Sequence, residues 1–352
     1  MSDPRSAIRK AKRIVVKIGS STLARDEHAH GRLAKAVRAL HEEKKSVVLV
    51  SSGAIALGTR KLGYKGRPKE MAKLQAAASA GQSLLMRAYE EAFAKEGLSV
   101  AQVLLTHADL AERARANNAR AALGALLDAK CVPILNENDA VAVEEIKFGD
   151  NDELSAMVTP LVAADVLILL SDVAGLLDAD GKRVSVVHDV ATEALPLVRA
   201  KKSSVGTGGM ASKIEAARRA TLAGAHVVIA DAGKKDVLEN ILAGDDEGTL
   251  FVAATDRLPA KKHWIAFTLR ARGDIWLDAG AAKAVKEKGT SILAVGVSGV
   301  RGDFRAGDSV RVLAPDGTEI GRGLAEVGAA NAVLIAGKKS DVLIHRDDLV
   351  VW

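Results

Sequence analysis

Val166-Leu-Ile-Leu-Leu170 is an unbroken apolar run that opens into Ser171-Asp172-Val173-Ala174-Gly175. A strand with one wet face alternates polar and apolar residues, so a strand apolar throughout is covered on both faces. Val47-Val-Leu-Val50 is a second such run, and it ends in Ser51-Ser52-Gly53-Ala54. Ile14-Val-Val-Lys-Ile18, Val132-Pro-Ile-Leu135 and residues 100–105 and 226–230 read as further strands. Longer amphipathic stretches separate them. Leu33, Val37 and Leu40 mark one helical face, and helices are expected over 72–93, 109–129, 154–162 and 211–223. Such alternation argues for parallel βαβ units. The expected fold is therefore α/β, a mainly parallel sheet sandwiched by helices. Ligands of such sheets bind beyond the carboxyl ends of the strands, where the short polar clusters of this chain fall.

After about Leu250 the texture changes. Residues 258–267, with Pro259, Lys261, Lys262 and His263, read as a linker between a domain at 1–257 and a small, mainly β domain at 268–352. Candidate strands there are 275–277, 295–297, 310–312, 333–335 and 349–351. Gly273-Asp274, Gly302-Asp303 and Asp316-Gly317 read as turns between them.

The 352 residues are 48% hydrophobic and 27% charged, an ordinary globular balance. Aromatic residues make up only 3%, so Ala, Val, Leu and Ile must fill the core. The net charge of +6 reads as scattered; its densest cluster, residues 5–13, is expected as a solvated arm. The single cysteine, Cys131, excludes an internal disulfide and is expected as a small core residue. No Cys/His cluster points to zinc. The N-terminus lacks the apolar stretch of a signal peptide, and no run approaches the ~18 apolar residues of a membrane helix. A cytoplasmic protein without a membrane partner is expected.

Five segments carry chemistry. Lys17-Ile-Gly19-Ser20-Ser21 can set an ammonium and backbone N–H groups at a phosphate, although alone it better describes a solvated strand-end lysine before an ordinary turn. In Ser52-Gly53, small residues let a ligand approach the backbone; an N-capping serine is the plainer alternative. Asn136-Glu137-Asn138-Asp139 and Gly149-Asp150-Asn151-Asp152-Glu153 concentrate short polar side chains after one buried strand. Carboxylates there can hold an ammonium and amides a carboxylate or phosphate, while Asn151 or Asp152 can also cap a helix at Leu154. Ser171-Asp172 suits a nucleotide edge or an ordinary turn. Gly206-Thr207-Gly208-Gly209-Met210-Ala211-Ser212-Lys213 is the most informative: a glycine-rich loop entering a helix presents N–H groups at the positive end of the helix dipole. Its spacing is not that of a Walker A loop. His345-Arg346-Asp347 imitates a protein-kinase catalytic loop, but none of that motif's companions is present.

Taken in order, VVKIGSS, SSGAIALG, PILNENDAVAVEEIKFGDNDELSA, LLSDVAGL and GTGGMASK resemble the amino-acid kinase family. Within it, NENDAVA followed by IKFGDND is similar to the branch that phosphorylates the side-chain carboxylate of glutamate. The stretch from GDIWLDAGA to HRDDLV resembles the PUA domain that many of that branch carry. The resemblance implies an amino-acid kinase fold, ATP and Mg²⁺ as cofactors, L-glutamate as substrate, and the first step of proline biosynthesis. It implies that Lys17 and Lys213 bind phosphate, with Asp152 orienting both. It places Ser52, Gly53, Asn136, Asp139 and Asn151 at the glutamate. Ser171, Asp172, Thr207, Gly208, Gly209, Met210, Ala211, Ser212 and the two lysines fall at ATP. Inhibition by proline and assembly into homo-oligomers are also implied. Nucleic-acid binding through the PUA-like domain is not favoured, since few aromatic residues and no basic stripe are evident there.

Overall fold

In a computed structural model of the chain, residues 3–25, 28–142, 151–200, 209–338 and 341–352 are described. Contacts divide the chain into two units, Met1–Arg257 and Leu258–Trp352. The first is built on eight strands: β1 (Arg13–Ile18), β2 (Ser46–Ser51), β3 (Val100–Leu105), β4 (Val132–Glu137), β5 (Val166–Ser171), β6 (Val186–Val187), β7 (His226–Asp231) and β8 (Thr249–Phe251). They lie in the order β3-β4-β2-β1-β5-β7-β8-β6, and every pair is parallel except β7 with β8. Because side chains alternate across a strand, one sequence feeds two cores. Val15, Val48, Leu167 and Val227 join Leu154, Met157 and Ile214 of the helices Asn151–Leu161 and Met210–Leu222. Val16, Leu49, Ile168 and Val228 join Leu33 and Phe93 of the helices Ala29–Glu42 and Met71–Ala94. Each such side chain, fully buried, contributes roughly 1.5–3 kcal/mol. β1 lies between β2 and β5, which are reached in opposite directions along the sheet, the position at which such sheets open a ligand crevice.

Several local expectations change. Residues 109–129 are two helices, His107–Ala111 and Arg113–Asp128, because Glu112 takes an extended conformation between them. Thr106 and Asp109 form a capping box on the first. Residues after Gly53 form an unexpected helix, Ala54–Lys61, packed backbone to backbone on Met71–Ala94. A Cβ on Gly58 would lie 1.7 Å from the carbonyl oxygen of Ala77, and one on Gly81 would lie 1.8 Å from that of Ala54. Cys131 is half-buried rather than a core residue. The basic N-terminal segment is solvated at Arg9, Lys10 and Lys12 but not at Arg5. Arg5 is 4% exposed and donates to the carbonyl oxygens of Ser185, Asp245, Glu247 and Gly248, with Asp246 at 2.8 Å. The two terminal nitrogens of its guanidinium carry four donors, and a ring of loop carbonyls with Asp246 takes them.

In the second unit the expected linker is folded: Ala260–His263 is helical and Trp264–Thr268 a π-helical turn with Ile265 and Phe267 buried. Seven strands follow: β9 (Gly273–Leu277), β10 (Ile292–Leu293), β11 (Val297–Gly302), β12 (Ser309–Leu313), β13 (Glu319–Leu324), β14 (Val342–Ile344) and β15 (Leu349–Val351). Five make a sheet in the order β11-β9-β12-β13-β15, and β10 pairs with β14. Residues 294–296 are a 3₁₀ turn and 329–335 a helix, so two expected strands are absent. Gly273-Asp274 begins β9 instead of making a turn. The register sets Arg301 opposite Asp274, Asp274 opposite Arg311, and Arg311 opposite Arg322. A row of three arginines therefore crosses the sheet, assembled from residues far apart in sequence. Asp274 interrupts the row and Arg322 pairs with Glu319, so it is an ion-paired ladder and not an unbroken basic stripe.

Candidate active site

Lys17 is the fifth residue of β1 and shares the face of Val15, the face covered by the helices Asn151–Leu161 and Met210–Leu222. Asp152 and Lys213 lie in the first turns of those two helices, so three distant residues meet. Lys17 Nζ is 2.6 Å from Asp152 Oδ1, and Lys213 Nζ is 3.0 Å from Asp152 Oδ2. Ser212 Oγ donates to Oδ2 at 3.2 Å. Lys17 and Lys213 are each 7% exposed and Asp152 is not exposed at all. A buried ammonium needs a counter-charge, and here one carboxylate serves two ammoniums. Burial pushes the Asp152 carboxyl up, but Lys17 and Lys213 outweigh it and hold the group below the usual carboxylate range. Two lysines less one aspartate leave the cluster one positive charge for an incoming anion.

A cavity of about 570 Å³ opens beside this cluster at the ends of β1, β2, β4 and β5. Ser52, Gly53, Asn136, Asp139, Asn151, Asp152, Ser171, Asp172, Lys17 and Lys213 all line it. Gly53 holds φ at +118°, a left-handed conformation that favours glycine. It occupies the N-cap position of helix Ala54–Lys61 that Ser52 was expected to fill. The Ser52 hydroxyl oxygen instead lies 2.8 Å from Asn151 Nδ2, whose two hydrogens are shared among it, Ser51 O at 2.8 Å and Asn136 Oδ1 at 2.9 Å. Asn151 and Asp152 are part of their helix, not caps ahead of Leu154. Asp139 is buried, and that burial pushes its carboxyl up to about 6 despite the positive charge of Arg67. Ser171 Oγ donates to Asp172 Oδ1 at 3.1 Å.

Gly209, Met210, Ala211 and Ser212 begin the helix that carries Lys213, without lining the cavity themselves. Thr207 and Gly208, expected at ATP, lie outside the described residues. Sequence reading missed Arg60 and Arg67, which also line the cavity. Their signal was a concentration of basic residues from Arg60-Lys61 to Lys73, running from the last turn of helix Ala54–Lys61 into the first turn of Met71–Ala94. It also missed Tyr89, whose hydroxyl donates to Ser51 Oγ at 2.8 Å behind the site. Burial raises that hydroxyl's pKa and keeps it a donor.

A mainly parallel sheet between helices, with two ammoniums held on one buried carboxylate at its carboxyl edge, defines a phosphoryl-transfer class. The amino acid kinase family matches residues 12–231, and the chain belongs to that family. Residues 273–346 match the PUA domain. Over nearly its whole length the chain is similar to proteins named glutamate 5-kinase. That of Trichlorobacter lovleyi is 44% identical, covering 99% of this chain and 98% of the relative. That of Cupriavidus metallidurans is 45% identical, covering 98% and 99%. Among solved structures, the carbamate kinase of Giardia matches with a TM-score of 0.52 at 16% identity, covering 69% of this chain and 99% of that one. At that identity the likeness shows the fold alone. Among the described residues no helix is long and apolar enough to cross a membrane.

Proposed function

We propose that the chain is a glutamate 5-kinase, transferring the γ-phosphoryl group of ATP to the γ-carboxylate of L-glutamate and so making the first intermediate of proline biosynthesis. The observation that carries this reading is the buried Lys17–Asp152–Lys213 cluster, in a chain similar end to end to glutamate 5-kinases.

A carboxylate is already a nucleophile at neutral pH, so no general base is needed. The barrier lies in bringing one anion to another and in the charge on the transferring oxygens. Lys17 and Lys213 supply preorganised positive charge in a water-poor setting, where it acts strongly. Asp152 keeps both ammoniums in place and offsets part of their desolvation. Asp139, with Asn151, receives the α-ammonium of glutamate; Ser52 and the backbone at Gly53 face its carboxylates. Ser171, Asp172 and the segment through 207–213 hold the nucleotide. Among the described residues no group of three or more His, Cys, Asp or Glu could cage a metal. Mg²⁺ would be held with the ATP phosphates and would supply charge neutralisation there, while the residues above do the positioning. Proline feedback and assembly into homo-oligomers belong to the same reading. They are checked by proline titration of the activity and by light scattering.

The test is incubation with ATP, Mg²⁺ and L-glutamate, trapping acyl phosphate with hydroxylamine, beside aspartate and N-acetylglutamate. Hydroxamate from free glutamate alone is expected. Product from another acid instead would replace the substrate, and none from any acid would overturn the kinase reading.

A further inference from the structure

Asn136 and Asn151 reach the cavity, yet an asparagine amide presents a donor or an acceptor depending on which way it is turned. Two backbone groups settle the choice here. The N–H of Glu137 can only donate, and it lies 2.9 Å from Asn136 Oδ1. The carbonyl of Ser51 can only accept, and it lies 2.8 Å from Asn151 Nδ2. With Asn136 Oδ1 committed to Glu137 N and Asn151 Nδ2, its Nδ2 points the other way, to Gln82 Oε1 at 2.9 Å. Gln82 is thereby oriented too, and its Nε2 donates to Gln102 Oε1 at 3.0 Å. A line of amides runs from exposed Gln102 on edge strand β3, through half-buried Gln82 on helix Met71–Ala94, to Asn136, Asn151 and Ser52 in the cavity. Since Ser52 Oγ accepts from Asn151, its own hydrogen is left to be donated into the cavity.

We infer that Gln82, which does not line the cavity, is a positioning residue for the amino-acid substrate. Its carbonyl oxygen takes the Asn136 amide hydrogen that the backbone contacts leave over, and so braces Asn136, and through it Asn151 and Ser52, in the orientation that offers the substrate carboxylate a donor. This rests on the kinase reading above. Removing the acceptor leaves Asn136 Nδ2 without its partner while Glu137 N–H still holds Oδ1, which loosens the substrate side while leaving the lysine cluster untouched.

Three variants test it by steady-state kinetics with hydroxamate detection. Gln82→Met, which loses the acceptor, should raise the KM for glutamate about tenfold, the worth of one hydrogen bond at a desolvated site. The KM for ATP and kcat should stay within about twofold. Gln82→Glu, which keeps an acceptor facing Asn136, should restore the glutamate KM to within about threefold of the parent. Gln102→Met, on the exposed edge, should raise it about two- to threefold and carries the test if Gln82→Met does not fold. A merely structural role predicts parallel changes in both KM values and in kcat, with no rescue by glutamate at 82. That pattern, or an unchanged glutamate KM in both methionine variants, overturns the inference while leaving the reaction standing. Absence of hydroxamate from the wild-type enzyme overturns the reaction and this inference together.

Discussion

Asp152 in the first unit and Asp274 in the second are each a carboxylate shared by two cations, and the two clusters are built oppositely. In the first unit Asp152 takes two lysines whose side chains are each 9% exposed. In the second, Asp274 takes Arg301 at 2.7 Å and Arg311 at 2.6 Å, with side chains 69% and 40% exposed. Arg301 also lies over the ring of Trp276, 5.3 Å from its centre. Both aspartates are held below the usual carboxylate range, against burial that pushes each up; at Asp274 Arg311 and Arg301 outweigh it. Lysine ends in a compact charge on a flexible stem and can be handed to a phosphate oxygen. Arginine's planar fork is locked by its bonds and its ring partner. Water screens the second cluster and hardly reaches the first. The same charges make a reagent in one place and a fastening in the other.

Asp152→Ala is the most severe way to break this contrast. It strands two buried ammoniums, so kcat should fall at least ~10³-fold and thermal unfolding of the first unit should drop by an amount matching about 3–5 kcal/mol. Turnover and calorimetry check the two halves. Lys213→Ala should lower kcat by ~10²–10³-fold while the glutamate KM moves by less than about threefold; a change confined to that KM would remove Lys213 from the transfer step.

Acid pH separates the substrate pocket from both clusters. Asp139, pushed up to about 6 by burial, is protonated as pH falls through that value and can then no longer hold an ammonium. The kcat/KM for glutamate should fall tenfold per pH unit below about 6. The stability sign is opposite: a carboxyl raised on folding favours the fold at low pH, and that contribution is lost as pH rises through about 6. Asp139→Asn should therefore stabilise the ligand-free protein at pH 7.5, by at most ~3 kcal/mol, while raising the glutamate KM. Asp274→Ala should have the smallest effect, on the order of 1 kcal/mol in the second unit after screening, with turnover within about twofold of the parent.

How much of this was legible in sequence follows from how each feature is encoded. The strands of the parallel sheet announce themselves because both faces are apolar, and the polar clusters at their ends are contiguous. Lys17, Ser52, Asn136, Asn151, Asp152 and Lys213 could be picked out for that reason. Gln82 could not, because it belongs to the cavity only through the face its helix turns toward β4. The break at Glu112 rests on a single extended residue whose carboxylate accepts from Ala114 N and caps the next helix, too brief to disturb the apolar periodicity of 109–129. Val333-Leu-Ile335 reads as a strand because three apolar residues carry no period, yet it is helical with Val333 and Leu334 largely exposed. The arginine row was hidden because register is a property of pairing, and no single strand displays it.

The carbonyl ring around Arg5 bears on synthesis. Its last partner, Gly248, lies 243 residues further along the chain. At roughly 5–20 residues per second, the ribosome needs roughly 10–50 s to deliver it. Through that interval the opening segment waits with an unsatisfied guanidinium, so the first unit is sealed by its own beginning only when nearly all of it has been made.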